Sequence, residues 1–122
     1  MSNNVYIKSG EQPRYFAFSG VNYTTGTASS TAVYKESPYS AFQAIATGTS
    51  GTVGATIDIQ VSNEEATGQG TNSNWITIGT ITLSGTTPVT DGFTTIAPWR
   101  FMRAKVSGVS GTATKVEVIM GV

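Results

Sequence analysis

Residues 74–108 read NWITIGTITLSGTTPVTDGFTTIAPWRFMRAKVSG and hold both tryptophans, Trp75 and Trp99, with three of the seven basic residues. Apolar and polar residues alternate through much of this stretch, the period of a half-buried strand. The phase shifts once: Ile76 and Ile78 fall on even positions, Ile81 and Leu83 on odd ones. One residue must be absorbed between the two pairs, and Gly79 is the natural seat of a bulge or a sheet-switching bend. SGTTPVTDG (84–92) reads as a turn-rich connection, and GFTTIAP (92–98) as a short strand closed by Pro98. In WRFMRAKVSG (99–108), Met102, Ala104 and Val106 share one face and leave Arg103 and Lys105 on the other. The whole predicts strand, turn, short strand, corner and strand at the centre of a β-rich core.

Outward from this stretch the same period recurs. ATIDIQVSN (55–63) sets Ala55, Ile57, Ile59 and Val61 against Thr56, Asp58, Gln60 and Ser62, predicting one buried and one wetter face. TKVEVIMGV (114–122) sets Val116, Val118 and Met120 against Lys115, Glu117 and Ile119, and predicts a strand that closes a sheet. RYFAFSG (14–20) is a compact aromatic strand with Phe16 and Phe18 on one face. A short strand is expected near Val5–Lys8, within a polar arm over residues 1–13. AFQAIATG (41–48) fits a strand better than a helical turn. Residues 64–73 read as an exposed loop. The weakest pattern lies in residues 21–40, VNYTTGTASSTAVYKESPYS, which predict a long loop with one edge strand near Ala32–Lys35.

Composition agrees. The chain carries 20 threonines in 122 residues, which favours pleated, half-buried surface over helix. Turn signals recur roughly every 8–12 residues, as in sandwiches and barrels. The length suits one domain, and neither a linker nor a repeat divides it. The expectation is all-β: a single antiparallel β-sandwich, jelly-roll-like, over residues 1–122.

Cysteine and histidine are absent, which removes disulfides, thiolate nucleophiles, the commonest general base and the commonest metal ligands. The chain is therefore expected to be no enzyme and to need no cofactor or metal. Only 11% of residues are charged and the formal net charge is zero, so neither a nucleic-acid nor a membrane footprint is visible. Few charges and no net charge suit a protein that functions assembled rather than free. The polar start MSNNVYIKSG has no apolar signal region, so cytoplasmic synthesis is expected.

Candidate sites divide into strong and weak. Asp58, Glu64, Glu65 and Asp91 read as solvated carboxylates rather than a catalytic pair or a calcium loop. TGTSGTVG (47–54) and TGQGTN (67–72) lack the lysine and helix of a phosphate loop and read as turns. Trp75 and Trp99 fit either core anchors at strand starts or a sugar-stacking platform, and the core reading is favoured. Arg100, Arg103 and Lys105 form the one basic concentration. Residues 1–65 carry three basic and five acidic side chains, residues 66–122 four and two, a polarity that suits contacts between neighbouring subunits. Tyr23, Tyr34 and Tyr39 lie in the weakly patterned 21–40 region. With Arg100, Arg103 and Lys105 they are the candidate protein-contact residues.

IDIQVSNE (57–64), NWITIGTITLSGT (74–86), TDGFTTIAPWRFMRAKVSGVSGT (90–112) and VEVIMG (116–121) together resemble small bacteriophage structural proteins, most of all capsid decoration (cement) proteins. The likeness covers roughly half the chain, and APWRFMRA with its following SGT turn is the most distinctive part. It implies a virion protein on the capsid surface, synthesised in the host cytoplasm and partnered by the major capsid protein and further copies of itself as a dimer or trimer. It implies no catalytic residues. A carbohydrate-binding or host-attachment module of a tail or head fibre is the alternative expectation.

Overall fold

A computed structural model describes residues 5–6, 14–22, 28–30, 32–35, 37–64 and 74–121, with side chains described from residue 29 onward. The described chain is all strand and turn. The strands are β1 (Val5–Tyr6), β2 (Arg14–Asn22), β3 (Ala28–Ser29), β4 (Val33–Tyr34), β5 (Tyr39–Thr47), β6 (Thr52–Ser62), β7 (Ile76–Thr86), β8 (Val89–Ile96), β9 (Phe101–Ser110) and β10 (Lys115–Gly121). They form two antiparallel sheets packed face to face, a β-sandwich. One sheet has the order β1-β2-β10-β5-β8; the other runs β3-β9-β6-β7, with β4 also pairing β9.

The alternation read from the sequence sets the core. Ile57, Ile59 and Val61 of β6 are fully buried, as are Met102 and Ala104 of β9 and Val116, Val118 and Met120 of β10. Ile81 and Leu83 of β7 and Phe42, Ala44 and Ala46 of β5 complete the packed layer. Burying each large apolar side chain contributes about 1.5–3 kcal/mol, so these inner faces dominate the stability of the sandwich.

The phase shift in β7 is a bulge. Ile59 of β6 pairs with Gly79 and Gln60 pairs with Thr77, so Ile78 is the extra residue, beside the expected position. Gly79 has a second role: a β-carbon there would lie 2.5 Å from Cζ of Phe93, whose ring crosses the gap between edge strands β7 and β8.

Four expectations are corrected. SGTTPVTDG is mostly strand, because β7 runs to Thr86, β8 starts at Val89, and the turn between them is two residues. Residues 21–40 are less of a loop than expected: Val21 and Asn22 end β2, β3 and β4 both pair β9, and Tyr39 opens β5. The last strand does not close a sheet from its edge; it lies between β2 and β5. The outer face of β6 is not uniformly wet, because Gln60 and Ser62 are buried. Of the remaining expectations, the 65–73 stretch, Tyr23, and most of the 1–13 arm lie outside the described residues.

Candidate interaction pole

Antiparallel register places strand ends at two poles. At one, Ile76, Val61, Met102 and Val33 form a row across β7, β6, β9 and β4, and Ser62, Phe101 and Tyr34 form the next. In the other sheet Tyr39 opposes Ile96 where β5 begins and β8 ends. Tyr34 (60% exposed), Tyr39 (63%), Ile76 (51%) and Ile96 (68%) are the exposed large hydrophobic residues among the described side chains, and all four stand at this pole. The opposite pole is made of small polar turns around residues 48–51, 87–88 and 111–114, bonded to one another through Thr49 N–H to Thr112 O and Thr87 N–H to Gly51 O.

Hydrogen bonds tie the described segments of the apolar pole to one another. Its connecting segments are tied by Lys35 N–H donating to Arg100 O (2.8 Å) and Ala97 N–H donating to Pro38 O (2.7 Å). Arg100 N–H donates in turn to Asn63 Oδ1 (2.9 Å), which links the segment after β6 to the segment before β9. The exposed side chains therefore sit on a preorganised frame and need little ordering to engage a partner.

Tyr34 covers the outer face of its register partner: its ring centroid is 4.7 Å from that of Phe101, which is 1% exposed although it shares the outward side with Arg103. Arg100 reaches the same ring, with Cζ 5.8 Å from the centroid. On the other flank, Tyr39, Ser40, Ala41, Thr94, Thr95 and Ile96 line a shallow cavity of about 400 Å3. Ile76 points to the same side as Val61, yet as the first residue of an edge strand it remains half uncovered.

Of the expected contact residues, Tyr34, Tyr39 and Arg100 meet at this pole. Arg103 lies beside it and is already engaged: Nε donates to Gln60 Oε1 at 2.8 Å, and the guanidinium stacks 4.3 Å from the Trp75 ring. That cover explains why Gln60 is buried on an outward face, and the loss of solvent lowers the Arg103 pKa from its ordinary value. Lys105 sits further along β9, in register with Asp58, whose carboxylate accepts from Thr80 Oγ1 at 2.8 Å. It does not belong to the pole. Trp99 follows the core expectation in part: it is half-buried and packs its buried part against the core. Trp75, also half-buried, is covered by Arg103.

Arg103→Ala is expected to destabilise the fold by about 1–2 kcal/mol, since it removes a cation–π stack and leaves a buried amide oxygen without its charged donor. Arg103→Lys should not restore the loss, because an ammonium cannot reproduce the planar stack. Urea unfolding of both variants, with Trp75 emission as a second readout, checks this.

The carboxylates are dispersed. Glu64 accepts from Asn74 Nδ2 at 3.0 Å, Asp91 accepts from the N–H of Gly92 at 2.8 Å, and Asp58 stands on the outer face of β6. Among the described residues, no group of three or more acidic side chains is placed to hold a metal ion.

The chain is thus a β-sandwich protein whose exposed large hydrophobic side chains, among the described residues, gather at one pole. No protein-family model matches it, and no curated protein matches it either.

Proposed function

We propose that this chain is a non-enzymatic structural protein of a bacteriophage virion, a capsid decoration (cement) protein that bridges neighbouring capsomers. The observation that carries the reading is the gathering of Tyr34, Tyr39, Ile76 and Ile96 at one pole of the sandwich. Aromatic and apolar anchors on a preorganised surface are the usual centre of a specific protein contact. The strand order also supports it. With β3 and β4 taken as one interrupted strand and β1 set aside, the two sheets interleave in a jelly-roll-like sequence, an architecture used in capsid proteins and lectins alike. The resemblance of residues 57–121 to phage structural proteins supports a virion role over a free lectin.

On this reading the pole faces the major capsid protein at a junction between capsomers, and the sandwich is the brace. A specific contact of this kind buries about 1,000 Å2 or more, and repetition at each equivalent site strengthens the shell against packaged DNA. Further copies of the chain share the junction as a dimer or trimer. Mixing the purified protein with undecorated capsids should give co-sedimentation and a raised shell disruption temperature. Absence of both rejects the proposal. Tyr39→Ser combined with Ile96→Ser should reduce capsid binding at least tenfold, while fold stability changes by only about 0.5 kcal/mol per exposed site.

A host-attachment module that binds carbohydrate is the second reading. It is favoured by the half-buried Trp99, which lines a cleft at the same pole.

A further inference from the structure

Lys35, Ser37, Pro38, Pro98 and Trp99 line a cleft of about 250 Å3 at the apolar pole. Its polar groups are donors. Lys35 Nζ donates to the Tyr39 carbonyl (3.3 Å) and to Ser40 Oγ, which leaves the third of its three N–H groups to give. Ser37 Oγ accepts from the Tyr39 N–H (3.1 Å), so its hydroxyl proton remains to donate. Trp99 is half-buried, and its indole N–H meets no acceptor among the described residues.

No carboxylate among the described residues lines the cleft, and Glu36, next to Lys35 in sequence, lies outside them. The walls are two prolines and an indole. Donors, one positive charge and apolar walls together select a ligand with acceptor oxygens, a negative charge and an apolar ring face. A carboxylate gains most, because charge-assisted hydrogen bonds are about twice as strong as neutral ones. Burial also lowers the pKa of Lys35, a cost that an incoming anion offsets. The volume falls below the roughly 300–1,000 Å3 of sites for drug-sized ligands, which limits the occupant to about one ring.

We propose that this cleft binds a single carboxylate-bearing sugar residue, with its carboxylate on Lys35 and its apolar ring face against Trp99. This rests on the glycan-binding reading and is independent of capsid attachment.

The test is titration of the full chain with glucuronate, N-acetylneuraminate, glucose, galactose and acetate, following the Trp99 indole N–H signal by NMR. Trp99→Phe identifies that signal against Trp75. One of the two acidic sugars is expected to shift it with an affinity at least tenfold above glucose, galactose and acetate. Lys35→Met should remove that preference, and alkaline pH should do the same below the range of an ordinary lysine. Lys35 also holds the buried Ser40, so Ser37→Ala serves if Lys35→Met does not fold, with a severalfold loss expected. Neutral sugars binding as well as acidic ones would overturn the inference and leave the glycan reading standing. Acetate binding as tightly as the acidic sugars would reduce the cleft to a bare anion site and also overturn it. Silence with every sugar defeats both the inference and the glycan reading.

Discussion

Removal of residues 115–122 is expected to leave a chain that no longer unfolds cooperatively. The deletion takes out β10, whose Val116, Val118 and Met120 are each fully buried. At about 1.5–3 kcal/mol per large apolar side chain, their loss alone amounts to roughly 5–9 kcal/mol, as large as the whole stability of many domains, about 5–15 kcal/mol. The ladder losses come on top. β10 bonds β2 on one side and β5 on the other, so its absence exposes two strand edges inside what had been one sheet. Circular dichroism and tryptophan emission followed through urea should show a broad, non-coincident change in the shortened chain. A truncated protein that is soluble and gives one sharp transition in both signals would show that the other strands make a sandwich without it.

The second large effect is at Gly92. A β-carbon placed there would lie 2.1 Å from the Phe42 carbonyl oxygen and 3.3 Å from the Gln43 α-carbon. These are backbone atoms of the neighbouring strand, so no side-chain rotation relieves the clash, and β8 must move away from β5. Gly92→Ala is expected to cost about 3 kcal/mol, at the upper end of ordinary overpacking. Thr94→Ala, two residues along the same strand and exposed, should stay within about 0.5 kcal/mol. Urea midpoints of the two variants decide the matter. A Gly92→Ala protein within 1 kcal/mol of the parent would show that the β5–β8 pairing yields easily.

Gly92 also illustrates where the sequence misleads. Asp91-Gly92, between Thr90 and Phe93, is a strong turn signal, and it hid the first half of β8. The glycine is there because two backbones approach closely, a requirement that no local pattern displays. Patterns governed by a single buried face were legible instead. Ile57–Ile59–Val61, Met102–Ala104–Val106 and Val116–Val118–Met120 alternate because every second residue enters the same core, and the phase shift before Ile81 marked the bulge to within one residue. Strand order was not legible, since alternation states which face is buried and not which neighbour is paired. β3 and β4 are two residues each, too short for any period to register.

The candidate pole was half legible. Tyr34 and Tyr39 stood out as large aromatics in a weakly patterned segment, and Arg100 as part of a basic cluster. Ile96 and Ile76 could not be separated from core isoleucines by sequence, because their exposure follows from lying at the ends of edge strands. Arg103 looked like a free contact residue. Its stack on Trp75 joins residues from β9 and the segment before β7, and neither carries a local sign of the other.

The place of β10 has a consequence for how the protein is made. A strand synthesised after the other described strands fills a slot in the middle of a sheet and pairs with β2, far back along the chain. Pairings so distant along the chain are slow, because the loop between them must close before any contact rewards it. During translation the strands before β10 emerge without it, and β2 and β5, its two neighbours, are left with unpaired edges. Until β10 follows, those two edges stay open, and the same strand of a neighbouring nascent copy offers the same hydrogen bonds to them.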